Sequence, residues 1–306
     1  MVMPNESAMN MNHLRIFIAV ADKMNMTEAS QALFISQPAV SKAVKSLEES
    51  LSVKLFVRDK PHGLALTEAG KDILRLARQM KAIENQIYQV AGGENRLLRG
   101  KVTIGSFPAA SANLLPETIA VFRNRYPNVR IELTEGTSDQ IKAWVDAHSV
   151  DVGIVASPFG EYEAEVLIQD GMVAALPPGH SLENADRIGL ERNRSELIFC
   201  KGGHEAAIEG TFRDHRIDYE ENLTVQTAET LVHMVKRGLG IGVVSRFTLA
   251  SVAAHGLKVK EIDPPVAREI AVIARSFADA APATREFVRV LTDWCRQNWR
   301  MEATML

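Results

Sequence analysis

Apolar residues recur at helical spacing near the beginning of the chain. Leu14, Phe17, Ile18 and Ala21 follow an i, i+3, i+4, i+7 pattern, which predicts a first helix that ends near Lys23. This spacing places the four side chains on one face, so the helix is expected to pack on a core.

A second helix is predicted to begin at Thr27, which can cap it. Its inner face carries the small residues Ala29 and Ala32, which allow a second helix to cross closely at a steep angle. The dipeptide Phe34-Ile35 is then a short turn. Two helices joined in this way are typical of a helix-turn-helix.

Residues 36–48 predict the third helix, with Ser36 as its N-cap and Pro38 in the first turn, where proline breaks no helical hydrogen bond. One face of this helix is apolar and comprises Val40, Ala43, Val44, Leu47 and Leu51. The opposite face comprises Gln37, Pro38, Ser41, Lys42, Lys45 and Glu49. Short hydrogen-bonding groups and cations can contact base edges and phosphates together, so this face predicts binding to duplex DNA.

Two short apolar runs flank a turn at 61–63 and predict a β-hairpin over residues 55–66. Arg58, Lys60 and His62 lie at its edge. Because the hairpin follows a helix-turn-helix, we interpret it as a wing whose cations contact phosphates or the minor groove. A solvated turn is the alternative interpretation.

A long helix is predicted to begin at Thr67, which can cap it, and to stop at Gly92-Gly93. Its apolar positions are spaced alternately by three and four residues, which is a heptad pattern. These positions are Ile73, Leu76, Met80, Ile83, Ile87 and Val90. The pattern predicts that the helix pairs with a second copy of itself, and packing against its own domain is the alternative.

After residue 101 the pattern changes to strands that alternate with helices. The predicted strands are 102–105, 129–133, 150–155, 172–176, 196–200, 241–244 and 270–274. The predicted helices are 112–125, 139–147, 205–215, 228–237 and 282–299. This alternation favours a mainly parallel sheet covered by helices. We divide it into two lobes, 101–169 with 269–306 and 170–268, with a ligand cleft between them.

Polar residues after the predicted strands are the candidate effector-binding residues. In the first lobe they are Ser106, Phe107, Thr137 and Ser138. In the second lobe they are Cys200, Lys201, Gly203, His204, Gln226 and Thr227. Hydroxyl and backbone N–H groups at helix starts, beside Lys201 and His204, favour a small organic anion. Plain helix capping is the alternative for each serine and threonine.

Charge divides the chain in the same way as the pattern does. The 306 residues have a net charge of −3, but residues 12–101 carry 14 Lys and Arg against 9 Asp and Glu, and residues 102–306 carry 21 against 28. A basic first part fits a DNA-binding unit joined to a unit with another task.

Two cysteines are too few for a disulfide framework or a cysteine-rich zinc site, and the eight histidines form no helical metal-binding pair. With neither an export signal nor a membrane-spanning apolar run, the sequence predicts a cytoplasmic protein without a membrane partner.

The sequence does not predict an enzyme. The glycine-rich segment 238–242 ends a predicted helix and leads into a strand, which is the reverse of a dinucleotide-binding turn. Nucleophile elbows and the Walker phosphate loop are absent. We therefore expect no catalytic residues, no cofactor and no metal.

The chain resembles the LysR-type transcriptional regulators. The resemblance is carried by TEASQAL at 27–33, SQPAVS at 36–41, LE at 47–48, LFVR at 55–58 and LTEAG at 66–70. It implies that Gln37, Ser41 and Lys42 contact DNA from a helix in the major groove, and that Arg58 contacts DNA from the wing. The remaining candidate DNA-binding residues are Thr27, Ser36, Pro38, Lys45 and Lys60.

Three residues depart from the family pattern. Ser30, Lys42 and Ser52 stand where the family usually has Ala, Arg and Gly. Lys42 has the largest consequence for DNA recognition, because lysine cannot make the planar two-pronged contact with guanine that arginine makes.

The resemblance also implies an overall organisation. We expect an α/β two-lobed effector domain, similar to periplasmic binding proteins, preceded by an all-α winged helix-turn-helix domain and a long linker helix. The expected parts are a disordered extension at 1–11, the DNA-binding domain at 12–66, the dimerisation helix with its hinge at 67–100, and the two lobes.

The implied partners are double-stranded promoter DNA, a small effector that modulates binding or activation, and a second copy of the chain. Dimers are expected to assemble into tetramers, and RNA polymerase is a further candidate partner. Three alternatives remain: a redox-sensing regulator that uses Cys200, an unspecific architectural DNA-binding protein, and a solute-binding protein without a DNA function.

Overall fold

The computed structural model describes residues 9–59, 63–91, 100–200, 205–217 and 223–299. They form two compact units, the first of which comprises the chain up to Ala91, while the second contains nearly all that follows. No helix among these described ranges is long and apolar enough to span a bilayer.

Three helices build the first unit, namely α1 (Met11–Lys23), α2 (Met26–Leu33) and α3 (Gln37–Leu51). The predicted helix-turn-helix is confirmed, although α1 begins at Met11, which the prediction assigned to the disordered extension. Residues 1–8 of that extension lie outside the described residues. The apolar faces meet at the fully buried Phe17 and Leu47, so the periodicity of the sequence defines this core.

Side-chain oxygens cap α2 and α3 at their starts. Asn25 accepts hydrogen bonds from the backbone N–H groups of Thr27 and Glu28, and Ser36 accepts one from Ala39. The prediction for Ser36 is confirmed. The prediction that Thr27 caps α2 was wrong, because Asn25 already supplies the oxygen and Thr27 lies within the first turn.

The predicted wing is a two-stranded antiparallel hairpin of β1 (Phe56–Asp59) and β2 (Gly63–Leu66). Its turn, with Lys60 and His62, lies outside the described residues. The ring of Phe56 packs edge-on against Phe17, with ring centroids 5.5 Å apart, and this contact joins the hairpin to the helical core.

Glu48 connects α3 to the wing. Its carboxylate accepts hydrogen bonds from the backbone N–H groups of Leu55, at 2.9 Å, and Phe56, at 3.4 Å, and from Lys54 Nζ at 2.8 Å. Burial acts to raise the pKa of Glu48, but these hydrogen bonds outweigh it, so the pKa lies below its ordinary value of 4.5. One carboxylate therefore sets the position of the hairpin relative to α3.

The long helix α4 (Glu68–Ala91) packs against the first unit by one face only. Thr67 caps it by accepting a hydrogen bond from the backbone N–H of Gly70 at 2.8 Å, as predicted. Leu74 and Ala77 are buried against the helical core.

Another face of α4 remains outside that core. Its exposed large side chains are Leu76, Ile83 and Ile87. Of the heptad positions, Ile73 and Met80 are partly buried against the helical core, whereas the other three named here are exposed, and pairing with a second copy remains a prediction.

The second unit alternates strands and helices. The strands are β3 (Gly100–Ser106), β4 (Val129–Glu135), β5 (Val152–Ala156), β6 (Glu163–Leu176), β7 (Arg187–Gly189), β8 (Leu197–Cys200), β9 (Leu223–Val225), β10 (Ile241–Ser245), β11 (Lys258–Asp263) and β12 (Ala267–Ala274). The helices are α5 (Pro108–Asn113), α6 (Leu115–Arg125), α7 (Ser138–Asp146), α8 (Glu205–His215), α9 (Ala228–Lys236), α10 (Arg246–Leu249) and α11 (Pro282–Asn298).

All predicted strands and helices of this unit are present, with differences at particular places. The predicted helix 112–125 is divided at Leu114, because Pro116 has no N–H for the carbonyl of Ala112. The short strands β7, β9 and β11 and the first half of β6 were not predicted.

The strands are arranged as two lobes that share β6. The first lobe has the order β4-β3-β5-β12-β6, and the second has the order β7-β11-β6-β10-β8-β9. Residues 163–171 of β6 pair with β12, whereas residues 172–176 pair with β10 and β11. The predicted lobe boundary at 169/170 therefore lies inside a continuous strand, and residues 264–266 make the return crossing.

A buried ion pair lies where the chain crosses between the lobes. Asp170 on β6 and Arg268 on β12 are bonded at 2.8 Å, with side-chain exposures of 1% and 0%. The second oxygen of Asp170 accepts from the backbone N–H of Phe247 at 3.0 Å, and Arg268 Nη2 donates to Ser245 Oγ at 2.7 Å. We call Asp170, Ser245, Phe247 and Arg268 the crossover cluster.

The crossover cluster joins the two lobes through α5 and α10. The ring of Phe107, which precedes α5, lies 5.8 Å from Arg268 Cζ and 6.2 Å from the ring of Phe247. Asn113 at the end of α5 donates to the carbonyl of Phe247 at 2.7 Å. These contacts connect α5 directly to α10.

Replacing Glu48 by Gln is expected to lower the free energy of unfolding at pH 7 by about 1–3 kcal/mol, because two backbone N–H groups lose a charged acceptor. Since the pKa is lowered by folding, the contribution of Glu48 is present above pH 4.5 and is lost as the pH falls through the folded-state pKa. Denaturant unfolding at several pH values measures both effects. Glu49→Gln, at an exposed position, is the control, and equal pH dependence in both variants would contradict the assignment.

Replacing Asp170 by Asn is expected to lower the free energy of unfolding by about 3–5 kcal/mol, because it leaves the guanidinium of Arg268 buried without its counter-charge. Glu165→Gln on the same strand is the control. It removes the exposed ion pair with Arg296 and is expected to lower the free energy of unfolding by less than about 1 kcal/mol. Denaturant titration of both full-length variants tests the difference. Similar losses in the two would show that burial does not set the strength of the crossover pair.

Candidate nucleic-acid interface and effector cleft

The outward face of α3 is accessible as the sequence predicts. Gln37, Pro38, Lys42 and Lys45 are exposed, and Ser41 is half-buried. The opposite face of the same helix is packed in the core of the first unit. Burial of the apolar face therefore fixes which side chains α3 presents to a ligand.

Lys45 and Glu49 form an ion pair at 3.6 Å on the exposed face, with side chains 74% and 66% exposed. Such a pair contributes little in water, so the lysine remains available to a phosphate. Lys42 has no ion pair with any described residue.

Arg58 lies exposed on β1, opposite Leu64 of β2. Because Glu48 bonds the backbone at the entry to β1, it positions Arg58 relative to α3. Glu48 belongs to the LE motif at 47–48, but no role was predicted for it from the sequence. The sequence feature that could have identified Glu48 is its place at the border between the apolar and polar faces of α3.

The other candidate DNA-binding residues occupy the ends of helices. Thr27 is exposed in the first turn of α2. Ser36 is exposed, and its hydroxyl accepts from the N–H of Ala39 at 3.4 Å. Lys60 lies outside the described residues.

In the first lobe, the predicted effector residues meet at the carboxyl ends of β3 and β4. The carbonyl of Ser106 accepts from the N–H of Gly136 at 3.1 Å, which brings Ser106 beside Thr137 and Ser138. Ser106 is fully buried and Phe107 is nearly so. A ligand reaches Ser106 only if the surrounding side chains move.

Thr137 and Ser138 are already used in the fold. Thr137 and Gln140 cap α7 reciprocally: the hydroxyl of Thr137 accepts from Gln140 N at 3.3 Å, and the side chain of Gln140 accepts from Thr137 N at 2.9 Å. Ser138 Oγ accepts from the N–H of Ala156 at 3.2 Å. Capping, the alternative interpretation, therefore describes Thr137 in this structure.

In the second lobe, Cys200 ends β8 and lies opposite Val225 of β9, directly before Gln226 and Thr227. Gln226 and Thr227 are exposed, and Thr227 caps α9 by accepting from Thr230 N at 3.2 Å. Lys201, Gly203 and His204 lie outside the described residues. The carboxyl ends of parallel strands in both lobes therefore carry the predicted polar residues.

The two cysteines are buried and are not joined in a disulfide. Cys200 belongs to an apolar cluster of the second lobe and Cys295 to that of the first lobe. Burial raises the pKa of the Cys295 thiol to about 12, which disfavours the reactive thiolate. Within the described ranges, no three His, Cys, Asp or Glu residues are grouped as metal ligands.

The crossover cluster was not predicted from the sequence. The sequence feature that could have identified it is a charged residue within an otherwise apolar strand: Arg268 lies in AREIAVIA and Asp170 in LIQDGMVAAL. Their pairing depends on β6 and β12 being adjacent, which the sequence alone did not show.

Family profiles match both units. Residues 11–71 match the bacterial regulatory helix-turn-helix proteins of the lysR family, and residues 95–296 match the LysR substrate-binding domain.

Relatives match over nearly their full length. The Bacillus subtilis (strain 168) protein YoaU, described as an uncharacterized HTH-type transcriptional regulator, is 59% identical and aligns over 92% of this chain and 98% of its own. The transcriptional activator LysR of Escherichia coli K12 is 28% identical over 87% of each chain.

Solved structures show the same architecture. A full-length OxyR variant from Pseudomonas aeruginosa is 25% identical, with a TM-score of 0.71 over 94% of this chain and 98% of that one. Full-length CbnR complexed with its target DNA shares the fold at 22% identity, with a TM-score of 0.62 over 93% and 99%. The chain therefore belongs to the LysR family of transcriptional regulators, with a helix-turn-helix unit followed by an effector-binding α/β domain.

Proposed function

We propose that this regulator binds promoter DNA through the polar face of α3 and the wing, and that a small organic anion between the lobes modulates it. The observation that carries the proposal is the arrangement of α3, whose apolar side is buried while Gln37 and Lys42 are exposed on the other. The N-terminal part of such a helix enters the major groove in helix-turn-helix proteins.

The proposed contacts have different roles. Gln37 and Ser41 supply short hydrogen-bonding groups for base edges, whereas Lys42 and Lys45 supply point charges for base or phosphate oxygens. Arg58 contacts a phosphate or the minor groove from the wing. Contacts to phosphate fix the register of the protein on DNA, and contacts to base edges select the sequence.

We propose a homodimer that pairs through the exposed face of α4. The large apolar side chains on this face, Leu76, Ile83 and Ile87, are between 47% and 62% exposed. Apolar residues spaced in heptads are buried by a second helix of the same kind. Two paired chains place two recognition helices on a pseudo-palindromic site, and two such dimers form the tetramer that the family resemblance suggests.

The proposed effector site lies between the carboxyl ends of strands in the two lobes. Ser138 offers a hydroxyl at the start of α7, and Gln226 and Thr227 offer polar groups before α9. Helix starts carry free N–H groups and a favourable dipole, which suit an anion. Ser106 and Phe107 join the site when the cleft opens.

An effector acts by stabilising one arrangement of the lobes over another. The crossover cluster links α5, directly after Ser106 and Phe107, to α10 in the other lobe. We propose that this link carries the change of lobe angle to the pairing between subunits, and so to the spacing of the DNA-binding units and the bend of the DNA. RNA polymerase is a further proposed partner, and a DNA target implies action in the cytoplasm.

Replacing Arg58 by Ala is expected to weaken binding to specific and random duplexes alike and to reduce the slope of log K against log salt by about one unit, because one phosphate contact is lost. Gel shifts at several salt concentrations on a genomic fragment enriched by the wild-type protein measure this. Lys71→Ala on α4, which removes an exposed cation paired with Glu68, is the control. An unchanged salt slope for Arg58→Ala would remove this residue from the interface.

Replacing Ser138 by Ala is expected to preserve DNA binding but to weaken the affinity for the effector about tenfold, because a hydrogen-bonding hydroxyl is lost from the site. A thermal-shift screen of small carboxylates and aromatic acids on the full chain identifies the ligand class and measures this loss. Ser50→Ala, a helical serine of the first unit, controls for general effects on stability. If Ser138→Ala responded like the wild type, this serine would have only a structural role.

A further inference from the structure

Glu269 is a carboxylate at the edge of the first lobe where the effector site is proposed. Its backbone N–H donates to Ser157 Oγ at 3.0 Å, and its carbonyl accepts from the N–H of Ser157 at 2.8 Å. Because Ser157 directly follows β5, Glu269 lies at the carboxyl end of that strand, at the same edge of the sheet as Ser106 and Ser138. No role was predicted for Glu269 from the sequence.

Strand alternation places the side chain of Glu269 on the face of the sheet that α7 covers. A Cβ atom at Gly153 of β5 would lie 2.6 Å from Ile141 of α7 and 3.2 Å from Ile273 of β12, so Ile273 is on that face. β12 pairs with β5 in regular register from Ile270 to Ile273, and residues four apart on a strand share a face. Glu269 therefore lies on the same side of the sheet as Ile273 and α7.

Glu269 also lies near the start of α7. The helix start is level with Ala156 of β5, because Ser138 Oγ accepts from the N–H of that residue at 3.2 Å. Ala156 pairs with Ile270 of β12, and Glu269 is the next residue toward the carboxyl end of β5. The carboxylate is thus close to the helix start at which the effector anion is proposed to bind.

No described cation neutralises the charge of Glu269. Its carboxylate accepts a hydrogen bond from Gln169 Nε2 on the neighbouring strand β6 at 2.6 Å, and it forms no ion pair within the described ranges. The residue is half-buried, so water screens its charge only in part. The carboxylate can therefore accept from a cationic donor on a ligand.

This end of the lobe is acidic as a whole. It consists of the ends of β3, β4 and β5, the residues after them and the start of β12, namely 106–108, 135–142, 156–162 and 267–270. These segments carry four acidic and two basic side chains. Arg268 is paired with the buried Asp170, and Lys142 Nζ donates to the carbonyl of Pro158 at 2.7 Å. A ligand with only negative charge would thus be repelled by Glu269 at the place where the helix start attracts it.

Ser138 offers the complementary group. Its hydroxyl accepts from the N–H of Ala156, but it donates to no acceptor in the part of the chain that the structure describes. A hydroxyl can donate one hydrogen bond besides those that it accepts. The start of α7 therefore provides a donor and a favourable dipole for a carboxylate, while Glu269 nearby provides an acceptor for a cationic amino group.

We propose that the effector is a small amino acid, whose carboxylate binds at Ser138 and the start of α7 and whose ammonium group binds Glu269. This inference rests on the proposed function, which places a small organic anion at this site. It narrows that class, because a simple carboxylic acid leaves Glu269 without a cation and close to a second negative charge. Attraction of one class of ligand and repulsion of another together produce specificity.

The test compares matched probes on the full-length wild-type protein by thermal shift, followed by isothermal titration. The probes are the protein amino acids and β-alanine, each compared with the acid that lacks the amino group and the amine that lacks the carboxyl group. L-leucine, for example, is compared with isocaproate and isoamylamine. At least one amino acid is expected to bind about tenfold more tightly than both of its partners, because it alone satisfies Ser138 and Glu269 together.

Replacing Glu269 by Gln is expected to raise the Kd of the preferred amino acid about tenfold. The Kd of the matching acid without the amino group is expected to stay the same or to fall, because the repulsion is removed with the charge. Glu269→Asp keeps the charge and is expected to retain the preference. Glu165→Gln, at the far end of the β6–β12 ladder, is the control and is expected to bind like the wild type. Tm without a probe shows that each variant is folded.

Three results would overturn the inference. A wild-type preference for acids without the amino group would do so and would leave the proposed function standing, because an organic anion would still bind. Binding of the amine as tightly as the amino acid would exclude the carboxylate contact. Equal weakening of both acids in Glu269→Gln would show that Glu269 only supports the fold. If no probe of any kind raised Tm, the proposed anionic effector would be wrong together with the inference. The wild-type comparison needs no variant, so it decides the inference even if Glu269→Gln does not fold.

Discussion

Burial of one face of α3 is the constraint on which the DNA-binding unit depends. Burial against the helical core lets the apolar side chains Val40, Val44 and Leu47 stabilise the folded state, and this packing leaves the polar face of α3 exposed. The protein thus needs no additional interaction to present Gln37 and Lys42. The orientation of α3 is therefore fixed by its hydrophobic side.

Two single carboxylates extend this order beyond the helical core. Glu48 fixes the start of the wing relative to α3, and Asp170 fixes the crossing between the lobes by pairing with Arg268. Both side chains accept backbone N–H groups besides their cation, so each satisfies several donors at once. In the proposed mechanism, such charged contacts hold in register the segments that connect the effector site to the DNA-binding unit.

The first unit shows which structural features the local sequence pattern can predict. Helical spacing predicted α1, α2 and α3, and Ser36 was identified as a cap because its residue type and position agree. Thr27 was not the cap, since Asn25 competes for the same N–H groups and only the backbone path decides between them. Likewise, Pro116 divides α5 from α6, although the apolar spacing on both sides is compatible with one helix.

The sequence by itself determined most of the elements, the two-part organisation and the family, because periodicity, capping residues and motifs are local properties. The predicted DNA-binding face also follows from the spacing within one helix. Only the tertiary structure decided the course of β6 through both lobes, the pairing of Asp170 with Arg268, the burial of Ser106 and the position of Glu269 near the start of α7. These depend on which distant segments become neighbours, and pairing across a sheet or a lobe boundary leaves no periodic trace in the chain.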